Sequence, residues 1–207
     1  MVWDPAEIIE RRYLKRRINL WRIVAIAAVV GSLLLLVTQY NESRFGDYVA
    51  RVQISGMILD DTARNEALRR VVEEKALKAL IVEINSPGGT FVGGEALFHC
   101  LRNVAEHKPV VAVLGSLATS AAYMVALGSD RIFAHNGTVT GSIGVIMQTA
   151  DISALLKKIG IKPEIVKSSP LKAQPNPLET FTPAAREATE NVIKDLSDLF
   201  VDMVATR

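Results

Sequence analysis

Between Val110 and Ala134 the chain reads VVAVLGSLATSAAYMVALGSDRIFA, and the fold turns on how this stretch is divided. Val110–Leu114 is an unbroken apolar run, the pattern of a strand covered on both faces. SAAYMVALGS, from Ser120, suits a helix, and Asp130–Ala134 (DRIFA) suits another short strand. Strand, helix and strand in this order describe a crossover unit, which belongs to an α/β layered domain.

The flanks repeat the alternation. Upstream, Tyr48–Ile54 reads as a strand closed by Ser55-Gly56, and Thr62–Lys78 has helical periodicity. Ala79–Ile84 (ALIVEI) is a second buried strand, followed by the glycine-rich turn NSPGG and a helix from about Gly94 to Glu106. Downstream, strands are predicted at Gly144–Met147 and Glu164–Lys167, with a helix over Ile152–Ile159 between them. Ser168–Phe181 is a proline-interrupted loop. Thr182-Pro183 then opens the last helix with a cap residue and a proline at the first helical position. No internal repeat or low-complexity linker interrupts the series.

The formal net charge is +2 over 207 residues, and it is unevenly placed. Residues 1–22 hold six bases (Arg11, Arg12, Lys15, Arg16, Arg17, Arg22) against three acids, so the rest of the chain is balanced. A nucleic-acid partner needs a long cationic surface, and none is encoded. The single cysteine, Cys100, excludes an internal disulfide, and its setting ALFHCLRNV reads as the buried face of a helix. Neither His99 nor His107 falls at a metal-ligand spacing, so no metal and no cofactor is expected.

Ile23–Val37 contains no charge, and extension to Trp21 and Tyr40 makes it long enough to cross a bilayer as a helix. The basic cluster RRYLKRR precedes it, which places the N-terminus in the cytoplasm and the body outside. No A-x-A cleavage site follows, so the span reads as an uncleaved signal anchor. The predicted organisation is a cytoplasmic segment over 1–20, a transmembrane anchor over 21–40 and a folded domain over 48–207. The segment DPAEIIERRYLKRR is expected to form an amphipathic helix on the membrane surface.

Three stretches carry candidate chemistry. INSPGG (Ile84–Gly89) can present backbone N–H groups to a phosphate or an oxyanion, although an ordinary turn has the same composition. Ser120 sits where a strand gives way to a helix, with Ala118, Ala121 and Ala122 leaving room for a peptide backbone. Ser116 competes but lies near the strand end. KSSPLKA (Lys167–Ala173) supplies two lysines, and a neutral lysine can replace histidine as a general base. His135, in AHNGT, has no evident acid to orient its ring. Taken singly, each stretch is also what a purely structural turn would contain.

Together, INSPGG, GSLATSAAYMVALGSDRIFA, TVTGSIGVIM and IVKSSPLKA resemble, in order and spacing, the signal peptide peptidase A family of membrane-anchored Ser–Lys proteases. The resemblance spans about residues 48–205 and implies a Clp-protease/crotonase-like layered α/β fold behind a single transmembrane helix. It implies Ser120 as nucleophile, Lys172 as general base and Ser142 as the residue that positions the lysine. It also implies the backbone N–H groups of Gly89 and Ala121 as an oxyanion hole. The implied substrates are cleaved signal peptides at the bacterial inner membrane. The implied assembly is a homo-oligomer in which Ser120 and Lys172 can belong to different subunits. Family chains usually continue past the position of Arg207, so this domain is expected to be short of a C-terminal segment. A related membrane protease that cuts a stomatin-like protein, a crotonase-type acyl-CoA enzyme and an inactive scaffold are the alternatives.

Overall fold

Two units make up the chain, Met1–Asp47 and Tyr48–Arg207, and the computed structural model describes residues 5–42 and 46–207. The first unit is one helix, α1 (Pro5–Glu42). Its window Arg17–Leu36 has a mean hydropathy of 2.0 and none of it is buried. That is long and apolar enough to cross a membrane, because a helix satisfies its own backbone groups where no water can. The window starts four residues before the predicted anchor. Residues 1–4 of the predicted cytoplasmic segment, and the side chains of 5–16 and of Tyr40, lie outside the described residues.

The second unit is built on a parallel sheet in the order β1 (Tyr48–Ile58), β2 (Leu77–Gly89), β3 (Val110–Thr119), β4 (Arg131–Ala134). A fifth strand, β5 (Val139–Gly141), pairs with the second half of β3, after β4 has paired with the first. The connecting helices are α2 (Thr62–Arg70), α3 (Phe91–Ala105) and α4 (Ala121–Leu127), followed by α5 (Ser153–Lys158) and α6 (Pro183–Ala205). The α/β layered class expected from the sequence is the class observed.

Strand alternation decides which side chains reach the core. Leu80, Val82 and Ile84 of β2 and Val110, Ala112 and Leu114 of β3 are buried against Leu97, Leu101 and Val104 of α3. Each large side chain so covered contributes about 1.5–3 kcal/mol. Only this face is fully covered. Ile81, Val111 and Val113, on the other face, are half-buried, and beside them Arg51 donates to Glu83. Cys100 is buried in the same core, as its sequence setting implied.

Thr182 caps α6 by accepting the Ala185 N–H at 3.2 Å, with Pro183 beginning the helix. Phe200 fixes the far end of α6 by packing, 1% exposed, with Met124 and Leu127 of α4. Phe200→Ala is expected to cost about 3–5 kcal/mol in urea unfolding, because the cavity cannot be refilled by neighbouring backbone.

The structure departs from the periodicity in four places. Helix α2 stops at Arg70, and the apolar pair Ala76-Leu77 leads into β2; Lys108 Nζ, donating to the carbonyls of Val71 (2.8 Å) and Glu74, closes the intervening turns. NSPGG extends β2 through Gly89 instead of breaking it, paired with Met57 and Ile58. The strands predicted at Gly144–Met147 and Glu164–Lys167 do not form. Neither segment pairs with a strand of the sheet, and most of their side chains are exposed.

Candidate active site

The β3–α4 junction turns a strand into a helix at one residue. That residue is Ser120, with φ 56° and ψ −125°, a conformation that costs a side-chain-bearing residue about 1–3 kcal/mol. Two backbone bonds hold it there. Its N–H donates to Gly141 C=O at 2.8 Å, and its C=O accepts from Met124 N–H at 3.0 Å. β5 is therefore what locks the junction, reinforced by Thr140 Oγ1 donating to Ala118 C=O at 2.8 Å. The Ser120 hydroxyl caps nothing in α4, and the residue is half-exposed. A serine strained in backbone and unengaged in side chain is available as a nucleophile.

Opposite it stands the end of β2. Gly88 has φ +107°, and a Cβ there would lie 2.9 Å from Ser120 Cβ and 3.2 Å from Ala121 N. Thr119 Oγ1 donates to Pro87 C=O at 3.0 Å and ties the two segments together. The Gly88 N–H is taken by Ser86 Oγ (3.1 Å), which itself donates to Gly56 C=O at 2.5 Å. Thr90 N–H donates to Ile58 C=O at 2.9 Å. Ala121, first residue of α4, has no partner for its N–H inside its own helix. Gly89, the residue after Gly88, ends β2 beside this junction, and Ala121 begins α4.

The remaining predicted residues are placed less directly. Ser142 follows Gly141, whose carbonyl holds Ser120, and has φ 51° with an exposed side chain. Lys172 lies in an exposed turn in which its N–H donates to Ser169 C=O at 3.1 Å. Among the described residues no hydrogen bond joins Lys172 to Ser120 or Ser142. The other lysine of this loop, Lys167, is committed: its Nζ lies 2.5 Å from Glu179 Oε2 and its side chain is 14% exposed. Hydrogen bonds from Lys167 first, then from Asn176 and Gln174, hold the Glu179 carboxyl below its usual range. Ser116 and His135 line a shallow groove of about 440 Å³ on the uncovered face of the sheet, together with Glu83 and Asn85.

The match to known proteins follows this geometry. The profile of peptidase family S49 fits residues 102–207, more than half of the chain. This chain belongs to peptidase family S49. A Synechocystis protein with a provisional protease name is 35% identical over 159 residues, covering 76% of this chain and 57% of its own length. An Enterococcus faecium protein provisionally named signal peptide peptidase SppA is 28% identical over 171 residues, covering 76% and 50%. Among solved structures, a membrane protease specific for a stomatin homolog from Pyrococcus horikoshii is 25% identical. It covers 46% of this chain and 49% of its own, with a TM-score of 0.37. This S49 member spans 50–63% of the length of three of the curated relatives it matches and 19–27% of five others.

Two supporting residues escaped the sequence reading. Ser86, fully buried, takes up the Gly88 N–H. Its phase with Val82 and Ile84 on the inward face of β2 is a signal that would have found it. Glu179 gathers the loop that carries Lys172, and nothing in its local sequence marks that role.

Proposed function

We propose that this S49 member is a membrane-anchored serine endopeptidase whose Ser120 and Lys172 act as nucleophile and general base on cleaved signal peptides. What carries the reading is the conformation of Ser120, strained in its backbone at the strand-to-helix junction with a hydroxyl that caps nothing in α4. In the reaction the Ser120 Oγ–H proton passes to the neutral amine of Lys172 as Oγ attacks a peptide carbonyl carbon. The carbonyl oxygen becomes an oxyanion between the N–H groups of Gly89 and Ala121, each such donor being worth about 10²–10³ in rate. Collapse expels the amine, which takes the proton from Lys172. A water, deprotonated by the same lysine, then hydrolyses the ester and restores Ser120.

Ser142 would orient the lysine. The exposed position of Lys172 supports a dyad shared between subunits of a homo-oligomer, since a partner could carry its lysine to this Ser120. Exposed apolar side chains on the same segment, Ile146 (81%) and Val166 (101%), fit burial by that partner. The Arg17–Leu36 helix would hold the site beside the bilayer, on the extracytoplasmic side of a bacterial inner membrane, where severed signal peptides remain.

The test is hydrolysis of a quenched signal-peptide substrate by the full chain in detergent. Lys172→Ala is expected to lower kcat at least about 10³-fold. Mixing Lys172→Ala with Ser120→Ala chains should restore part of the activity if the dyad is shared. Wild-type rates in Lys172→Ala would remove the proposed base.

A further inference from the structure

Residues 168–181 have no helix or strand to hold them, and most of their side chains are exposed. The loop nonetheless has to aim Lys172. Its backbone does so through two tight turns, Lys172 N–H to Ser169 C=O (3.1 Å) and Gln174 N–H to Leu171 C=O (3.3 Å). Between them Ala173 sits at φ 59°, a conformation that persists only where surrounding contacts impose it.

Those contacts converge on one carboxylate. Glu179 Oε2 accepts from Lys167 Nζ at 2.5 Å and from Gln174 Nε2 at 2.8 Å, and Oε1 accepts from Asn176 Nδ2 at 3.4 Å. Asn176 Nδ2 also donates to Ala173 C=O at 2.9 Å, so the strained residue beside Lys172 is held through the same group. The donors lie on both sides of Lys172 in the chain. Lys167 and Glu179 close the loop at its base, and Gln174 and Asn176 pin its descending limb. Surface ion pairs are usually worth little. This pair differs in being largely shielded and in sharing its acceptor with two amides, a geometry that restrains a loop instead of merely adding energy.

We infer that Glu179, clasped by Lys167, Gln174 and Asn176, is a positioning residue that fixes the loop aiming Lys172 at the reacting serine. The inference rests on the proposed Ser–Lys reading and extends it to a residue that touches neither substrate nor nucleophile. Freed from the clasp, the loop would sample many backbone states, and the amine would spend little time in the attacking geometry. A misplacement near 1 Å is enough to cost about 10²-fold in rate. Substrate contacts around Gly89 and Ala121 would be untouched, so KM should hold while kcat falls.

The experiment compares full-length Glu179→Gln and Lys167→Met with Lys172→Ala and with Lys194→Met. The last breaks an exposed ion pair of the same type, to Asp198 on α6 (2.6 Å), away from the loop. Rates are divided by the sites that react to completion with a fluorophosphonate, which removes any effect of misfolded protein, except for Lys172→Ala, whose rate is divided by the folded fraction from its urea transition. Glu179→Gln and Lys167→Met should each lower kcat per site about 10- to 100-fold with KM changed less than about twofold. Lys167→Arg, which can still reach the carboxylate, should recover most of the loss, and Lys194→Met should match wild type. If Lys172→Ala is inactive while Glu179→Gln and Lys167→Met match Lys194→Met per site, the clasp is wrong and the dyad stands. If Lys172→Ala is as active as wild type, the dyad itself is wrong and the clasp has nothing to position.

Discussion

Ser120→Ala is expected to abolish peptide hydrolysis, by roughly three to six orders of magnitude in kcat, while leaving the chain folded. The hydroxyl caps no helix and fills no core, so its removal takes away the proposed nucleophile and little else. Ser120→Gly should be equally inactive but more stable. At φ 56° and ψ −125° any residue with a Cβ is strained, and glycine alone escapes. Relief of about 1–3 kcal/mol outweighs the 0.5–1 kcal/mol of extra chain entropy that glycine loses on folding. The usual order of alanine over glycine next to a helix should therefore invert by about 1–2 kcal/mol. Urea unfolding of the two variants measures it. An alanine variant as stable as the glycine one would mean that the junction is not strained, and the case for a conformation kept for chemistry would go with it.

The second large effect is expected at Gly89. A Cβ built there lies 1.9 Å from Ile58 O, 2.5 Å from Ile58 C and 2.6 Å from Ile58 N. All three are backbone atoms of the neighbouring strand, so no rotamer change can make room. Gly89→Ala must pull β1 from β2 at the point where Thr90 N–H donates to Ile58 C=O. We expect a loss of more than about 4 kcal/mol, a large share of the stability of an ordinary domain. The reading is soluble yield and the urea midpoint. Gly137→Ala is the comparison, because a Cβ at that position meets nothing within 4 Å. If the two variants are equally stable, the close approach of the strands is not real.

Much of the architecture was legible before any coordinates. The runs ALIVEI and VVAVL announce strands, although only one face of each is fully covered where the composition suggested two, and Thr182-Pro183 carries its helix start in two residues. Ala76 and Leu77 misled because their spacing also fits a helix, and only pairing with β1 shows that Leu77 opens a strand. GVIM and EIVK have strand composition but pair with no strand of the sheet. Composition reports what a segment prefers, whereas a strand exists only where a partner is unoccupied.

The site divides along the same line. From the sequence by itself came the strand-to-helix junction at Ser120 and the glycines at the end of the preceding strand, because these depend on local chain geometry; the roles proposed for them came from the resemblance of four separated motifs. Tertiary structure alone decided that β5 locks Ser120 through Gly141, that Ser86 takes the Gly88 N–H, and that Glu179 gathers Lys167, Gln174 and Asn176 in the loop of Lys172. Those assignments are outcomes of competition among backbone and side-chain groups for a limited set of hydrogen-bond partners. Which group wins depends on what packing brings within about 3 Å, and no single stretch of sequence records that.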